Sequence, residues 1–127
     1  MPKTTYLDNN FLNVALRNVP FVPPATVYVA LYTVTPTVGG GGTEVVGGGY
    51  GRQTVTFSVP ASGQCSNTAD ILFPVASANW GTVVAFALLD ASSGGNMLYF
   101  GSLSSPRLVL TSDQVRFPAS QLVVQET

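Results

Sequence analysis

The chain has 127 residues, one cysteine, no histidine and a net charge of −1. That length suits a single domain whose core needs neither disulfide nor metal, and the lone Cys65 excludes an intrachain disulfide framework. Lysine and arginine total only five, scattered from Lys3 to Arg116, which removes nucleic acid as a partner because phosphate affinity is built from clustered cations.

Charged residues make up 9% of the chain, against about 25% in an average domain. Ser, Thr, Asn and Gln supply 36 residues, so the surface is polar but almost uncharged. Such a surface does little to oppose association, and it predicts coverage by partner subunits in an assembly. No apolar run approaches the roughly 20 residues of a membrane span. The start, Met1-Pro2-Lys3-Thr4-Thr5 leading into Asp8-Asn9-Asn10, reads as no secretory leader.

The first element is an amphipathic helix over about 5–18. Leu7, Phe11, Val14 and Ala15 form an apolar stripe flanked by Leu12 and Leu16. Thr5 is the expected N-cap, with Asp8 three residues on in a capping-box position. Val19-Pro20 and Pro23-Pro24 end the helix, and one of its faces should pack on the strands after it. Thr26 to Thr33 reads as a strand apolar on both faces. A low-complexity stretch comes next: residues 39–51 hold eight of the thirteen glycines, predicting a long mobile loop within 37–51. Thr54 to Val59 alternates as a half-buried strand, and Ile71-Leu72-Phe73 is a short one ended by Pro74. Thr82 to Leu89 is the most apolar run and should be central in its sheet. Asp90 to Asn96 is dense turn chemistry joining it to Met97 to Gly101 as a hairpin. Leu108 to Leu110, Gln114 to Phe117 and Gln121 to Val124 complete the set. Together these predict one mainly-β domain over 1–127, an antiparallel sandwich or barrel of jelly-roll type with one N-terminal helix.

The residue types exclude most chemistry. Without histidine, Ser-His-Asp and Cys-His nucleophiles cannot form, and a zinc site loses its usual nitrogen ligands. The six carboxylates each have an ordinary reading as cap, turn residue or solvated charge, and no spacing demands a hydrolytic pair. Gly47-Gly48-Gly49-Tyr50-Gly51-Arg52 lacks the Lys-Ser/Thr of a phosphate loop and precedes a strand. No catalytic residue, cofactor or metal site is expected. Tyr50 and Arg52, at the end of the glycine run, and Trp80, before the central strand, are candidate interface contacts, since Tyr, Arg and Trp dominate binding surfaces. For Tyr50 the alternative is packing at the sheet edge, and for Trp80 it is capping the core with its N–H bonded outward.

Four segments taken together resemble a family of small proteins from the structural gene clusters of tailed phages, commonly labelled tail fibre proteins. They are Pro24 to Thr33 followed by Pro36, Gly47 to Gln53, Phe73-Pro74-Val75-Ala76 with Trp80 to Val83, and Asp90 to Tyr99 with Gly101-Ser102-Leu103. Gly51 departs from the pattern, where an alanine is expected. The resemblance implies a virion protein. A fibre shaft needs repeats or heptads, which this chain lacks, so the expectation is a capsid decoration (cement) protein on the capsid surface. It would bind the major capsid protein as a homo-oligomer, with a trimer as one form. The alternative is a tail or tail-fibre-associated module contacting tail proteins, with its loops touching host receptor glycans.

Overall fold

The computed structural model describes residues 2–126. Helix α1 spans Thr5–Arg17. It is followed by β1 (Val27–Val34), β2 (Thr43–Glu44), β3 (Gln53–Val55), β4 (Gln64–Ser66), β5 (Ile71–Leu72), β6 (Gly81–Leu89), β7 (Met97–Val109), β8 (Arg116–Phe117) and β9 (Val123–Gln125).

The helix is capped one residue earlier than expected. Thr4 is extended because its N–H donates to the Leu98 carbonyl of β7 at 3.0 Å. Its Oγ1 then accepts from the Leu7 N–H at 3.4 Å. Asp8 takes no part in a capping box; it faces Lys3 Nζ at 3.4 Å. At the other end Asn18 adopts the left-handed conformation (φ 54°) and closes the helix. Only Leu7 of α1 is buried, so the helix stands on β7 by its first turn and does not lay a face on the sheet.

The large sheet runs β2-β1-β6-β7, with β3 also paired to β1. All of its pairings are antiparallel. As the residue pattern predicts, β1 is covered on both faces, with Val29, Ala30, Leu31 and Tyr32 all buried. The apolar run of β6 is central, between β1 and β7. The turn-rich segment 90–96 joins β6 and β7 as a hairpin. Two runs that read as separate in the sequence, Met97 to Gly101 and Leu108 to Leu110, are drawn into one strand, β7, which ends at Val109. A register shift opposite Val83 and Ala85 absorbs the extra residues, and Pro106, which has no N–H to donate, lies in this irregular edge stretch.

The remaining strands form two ribbons, β4–β9 and β5–β8. One core cluster joins Val29, Leu31, Val83 and Leu88 of the sheet to Ile71, Phe73, Val115, Leu122 and Val124. The other face of the sheet carries Ala30, Tyr32, Ala85, Ala87, Leu89 and Phe100. The fold is thus mainly β with one N-terminal helix, but the expected sandwich or barrel is not formed. The ribbon strands are two or three residues long, with Pro60, Pro74 and Pro118 close by in the chain. Such pieces cannot complete a second sheet or close the first.

Candidate functional site

The glycine-rich stretch interrupts one edge of the sheet. Strands β2 and β3 lie end to end along β1, pairing Tyr32 with Glu44 and Val29 with Gln53. Between them residues 45–52 leave the edge, and Leu31 would lose its ladder partners. The loop restores both bonds. Val45 N–H donates to the Leu31 carbonyl at 3.0 Å, and the Leu31 N–H donates to the Tyr50 hydroxyl at 3.0 Å. A phenol therefore stands in for a missing strand residue.

That hydroxyl donates in turn to Glu44 Oε2 at 2.6 Å. Arg52 closes the network with Nε to Oε2 and Nη2 to Oε1 of Glu44, both 2.9 Å, a bidentate pair. Its Nη1 donates to the carbonyls of Ala91 at 2.8 Å and Gly94 at 2.9 Å, tying the β6–β7 hairpin loop to the sheet edge. Burial works against the Glu44 carboxylate, but the bonds from Arg52 and Tyr50 outweigh it and hold its pKa below the ordinary value. Burial first, and the bond to Glu44 second, push the Tyr50 phenol well upward, so it stays protonated.

Trp80 completes the assembly. It is 6% exposed, its Nε1–H donates inward to the Gly48 carbonyl at 2.9 Å, and its ring meets Tyr50 edge-on at 5.5 Å. Tyr50 also stacks on Phe73 at 6.1 Å. A side chain at Gly48 would put Cβ 2.8 Å from the Trp80 ring and 2.9 Å from the Ala78 carbonyl, so the loop packs here only as glycine. The structure thus brings Tyr50, Arg52 and Trp80 together around one loop, with their polar groups turned inward. The loop is a pinned, folded segment where a mobile one was expected. Glu44, which by sequence reads as a solvated loop charge, is the member that residue type does not single out. The available signal is that Glu44 and Arg52 bracket the second half of the glycine run, Gly47 to Gly51.

No group of three or more Cys, Asp or Glu side chains converges to hold a metal among the described residues. The carboxylates are engaged elsewhere. Asp70 bonds the Ala119 N–H and Arg116, which together depress its pKa. Asp90 holds Asn96, and Asp113 caps the Leu110 N–H. Asp8 and Glu126 converge on Lys3, and Glu126 also accepts from the Tyr99 hydroxyl at 2.7 Å. No helix of the described residues is long and apolar enough to cross a membrane.

Exposed apolar side chains cluster on α1 and the segment after it. Leu12 is 56% exposed, Leu16 76% and Val22 85%, with Phe11, Val14 and Val19 also open.

A protein-family model described as Podophage GP4 fiber I protein gp80 matches residues 2–125. No curated protein matches the chain. The match overturns the expectation of a capsid decoration protein on the capsid surface: the family is one of fibres, which places the chain with the tail. A charge-poor surface fits any assembly, and the absence of repeats excludes a long shaft but not a compact fibre component. The chain belongs to the podophage fibre family, as a structural protein and not an enzyme.

Proposed function

We propose that the chain is a one-domain structural module of a podophage tail fibre that self-associates through α1. The observation that carries this is the largely exposed apolar arc of the helix. At 100° per residue, Val14, Leu7, Phe11, Ala15, Leu12 and Leu16 sweep about 200° of its circumference. Only Leu7 among them is buried. A single helix–helix seam needs a stripe of about 100°, so the arc has room for more than one neighbour, as in a closed cyclic oligomer.

The occupant is the α1 of other copies. The exposed apolar side chains of residues 11–22 amount to on the order of 500 Å² per chain, near the upper end for monomers. Pairing like with like doubles that area to about 1,000 Å², the threshold at which a specific interface begins. A 13-residue helix anchored by one turn also gains most of its stability from such packing. The same module meets other virion proteins of the tail. The pinned loop, with Tyr50, Arg52 and Trp80 fixing its shape, is the rigid surface offered to them.

Sedimentation velocity of the full chain tests the self-association. The wild type is expected to form a discrete oligomer at micromolar concentration. The Leu12→Glu/Leu16→Glu double variant should sediment as a monomer with the sheet's circular-dichroism signature intact. A monomeric wild type, or a variant that still assembles, overturns the proposal.

A further inference from the structure

The face of the sheet opposite the pinned loop's aromatic core carries Tyr32. A cavity of about 380 Å³ opens beside it, between the first turn of α1, the turn at 38–41 and the hairpin loop at 94–97. Tyr32 is 4% exposed, yet its hydroxyl makes no hydrogen bond to a described residue. No fully enclosed side-chain oxygen or nitrogen among the described residues lacks a partner, so this oxygen opens on the cavity. A second donor is idle in the first turn of α1. Thr5 N–H is met by Val38 O, Leu7 N–H by Thr4 Oγ1 and Asp8 N–H by Thr4 O, but the Tyr6 N–H has no acceptor among the described residues.

The acceptors on the walls are largely occupied. The Gly40 carbonyl accepts from the Thr37 N–H and hydroxyl, Gly94 from Arg52, Met97 from the Thr4 hydroxyl and Val38 from the Thr5 N–H. The cavity therefore suits a ligand that accepts and does not donate. Its charge is balanced, because Arg52 is matched to both oxygens of Glu44. Burial raises the Tyr32 pKa, and Glu44 adds more than Arg52 takes away, so the hydroxyl stays a donor and an anion beside it is disfavoured. Uncharged carbonyl oxygens are the acceptors that remain. Val38, Leu89, Met97 and the Tyr6 ring give them apolar surroundings.

The segment after α1 has this chemistry. Val19-Pro20-Phe21-Val22-Pro23-Pro24 carries three prolines, which have no N–H to donate. None of its carbonyls accepts a backbone or side-chain hydrogen bond from a described residue. Residues that precede proline are held extended, and alternate side chains then face opposite ways. Phe21 turns inward, edge-on to Tyr6 at 6.5 Å, and Val22 turns out, 85% exposed. The contact of Phe21 with Tyr6 also holds this stretch level with the first turn of α1. In a cyclic oligomer whose axis runs along α1 the helices are parallel, and Val22-Pro23 of one copy stands beside the cavity of the next.

We infer that the cavity is the socket for Val22-Pro23 of a neighbouring copy, with the Tyr32 hydroxyl and the Tyr6 N–H donating to carbonyls of that segment. Aromatic-lined grooves take proline-rich segments in this way. The inference rests on self-association through α1 and names a second contact that closes the ring. Neither bond draws on the backbone of the sheet.

Two measurements test it. A peptide of residues 18–25, blocked at both ends, is titrated by saturation-transfer NMR into the full-length Leu12→Glu/Leu16→Glu variant. As a monomer this variant brings no neighbour to its socket, and both changes lie outside the cavity walls. The peptide should bind and its Val22→Asp form should not. Tyr32→Phe in the protein should weaken binding about tenfold, the worth of one hydrogen bond, with thermal unfolding unchanged. In sedimentation of otherwise wild-type chains, Val22→Asp and Tyr32→Phe should each weaken the oligomer by about tenfold. The inference is overturned if the peptide does not bind, or if sodium acetate displaces it. An oligoproline peptide that binds as tightly overturns it too, by assigning the socket to a segment of another protein. The two readings fail separately. A wild-type oligomer indifferent to both substitutions overturns the socket and keeps the helix seam, whereas a monomeric wild type that binds the peptide keeps the socket and overturns the seam.

Discussion

At the residue scale, Tyr50 does the work usually left to a strand. Its hydroxyl accepts from the Leu31 N–H and donates to Glu44, so one oxygen repairs a sheet edge and anchors an ion pair. Tyr50→Phe keeps the ring stacked on Phe73 and against Trp80 but leaves a buried N–H without an acceptor. The expected cost is about 1–3 kcal/mol in urea unfolding, and a negligible change would show that water replaces the phenol. Glu44 gives a pH signature with a definite sign. Its pKa is lowered in the folded chain, so its contribution is present above the unfolded value of about 4.3 and fades as the pH falls through the folded value. Asp70 titrates in the same direction, held down by the Ala119 N–H and by Arg116. Glu44→Gln should therefore lower stability at neutral pH and flatten, without abolishing, the loss of stability on acidification. Arg52→Lys should behave like a deletion and not a conservative change, since an ammonium cannot bridge both carboxylate oxygens and two carbonyls at once.

At the element scale, the glycine run is a folded insert whose shape depends on particular members. Gly47 and Gly48 both have positive φ, 75° and 59°, but a Cβ at Gly47 meets nothing within 4 Å while one at Gly48 strikes Trp80 and Ala78. Gly47→Ala should cost only the left-handed conformation, about 1–2 kcal/mol. Gly48→Ala should cost more and shift the Trp80 fluorescence, and equal effects would mean that the loop does not pack as described. This is also where the sequence stops being readable. The hairpin at 90–96, the doubly covered β1 and the central β6 follow from local turn chemistry and unbroken apolar runs, so they are legible. The loop is not, because its order comes from Leu31, Phe73 and Trp80, which are distant in sequence and carry no local mark. The ribbons escape for a related reason: two-residue strands such as Ile71–Leu72 and Arg116–Phe117 exist only because they pair with each other. The helix is legible as a helix, but an apolar stripe looks the same whether it faces its own sheet or a neighbour. Of the candidate site, Tyr50, Arg52 and Trp80 can be picked out by residue type, whereas Glu44 needs the fold.

At the scale of the whole molecule, stability is unevenly distributed, and that bears on assembly. The β1–β6–β7 sheet is buried on both faces through its middle, whereas the apolar arc of α1 beyond its first turn is largely open to solvent, with Lys3 Nζ 5.2 Å from the Phe11 ring centroid. A short helix in that position opens easily when alone and is protected when its arc is covered. Hydrogen exchange then reads the proposed assembly directly. In dilute full-length protein, peptides covering residues 8–17 should exchange quickly while β1 and β6 remain protected. Raising the concentration through the association range should slow exchange in α1 alone, leaving the sheet unchanged. In isolated tails the same peptides should be protected throughout, because neighbouring copies are held together by the structure they build. Exchange in α1 that is slow at every dilution would mean that the helix is stable without partners. Protection that rises equally across the sheet would place the contact elsewhere on the molecule. Only a concentration-dependent change confined to α1 fits a module that joins its neighbours by the helix and keeps its β-structure as a preformed body.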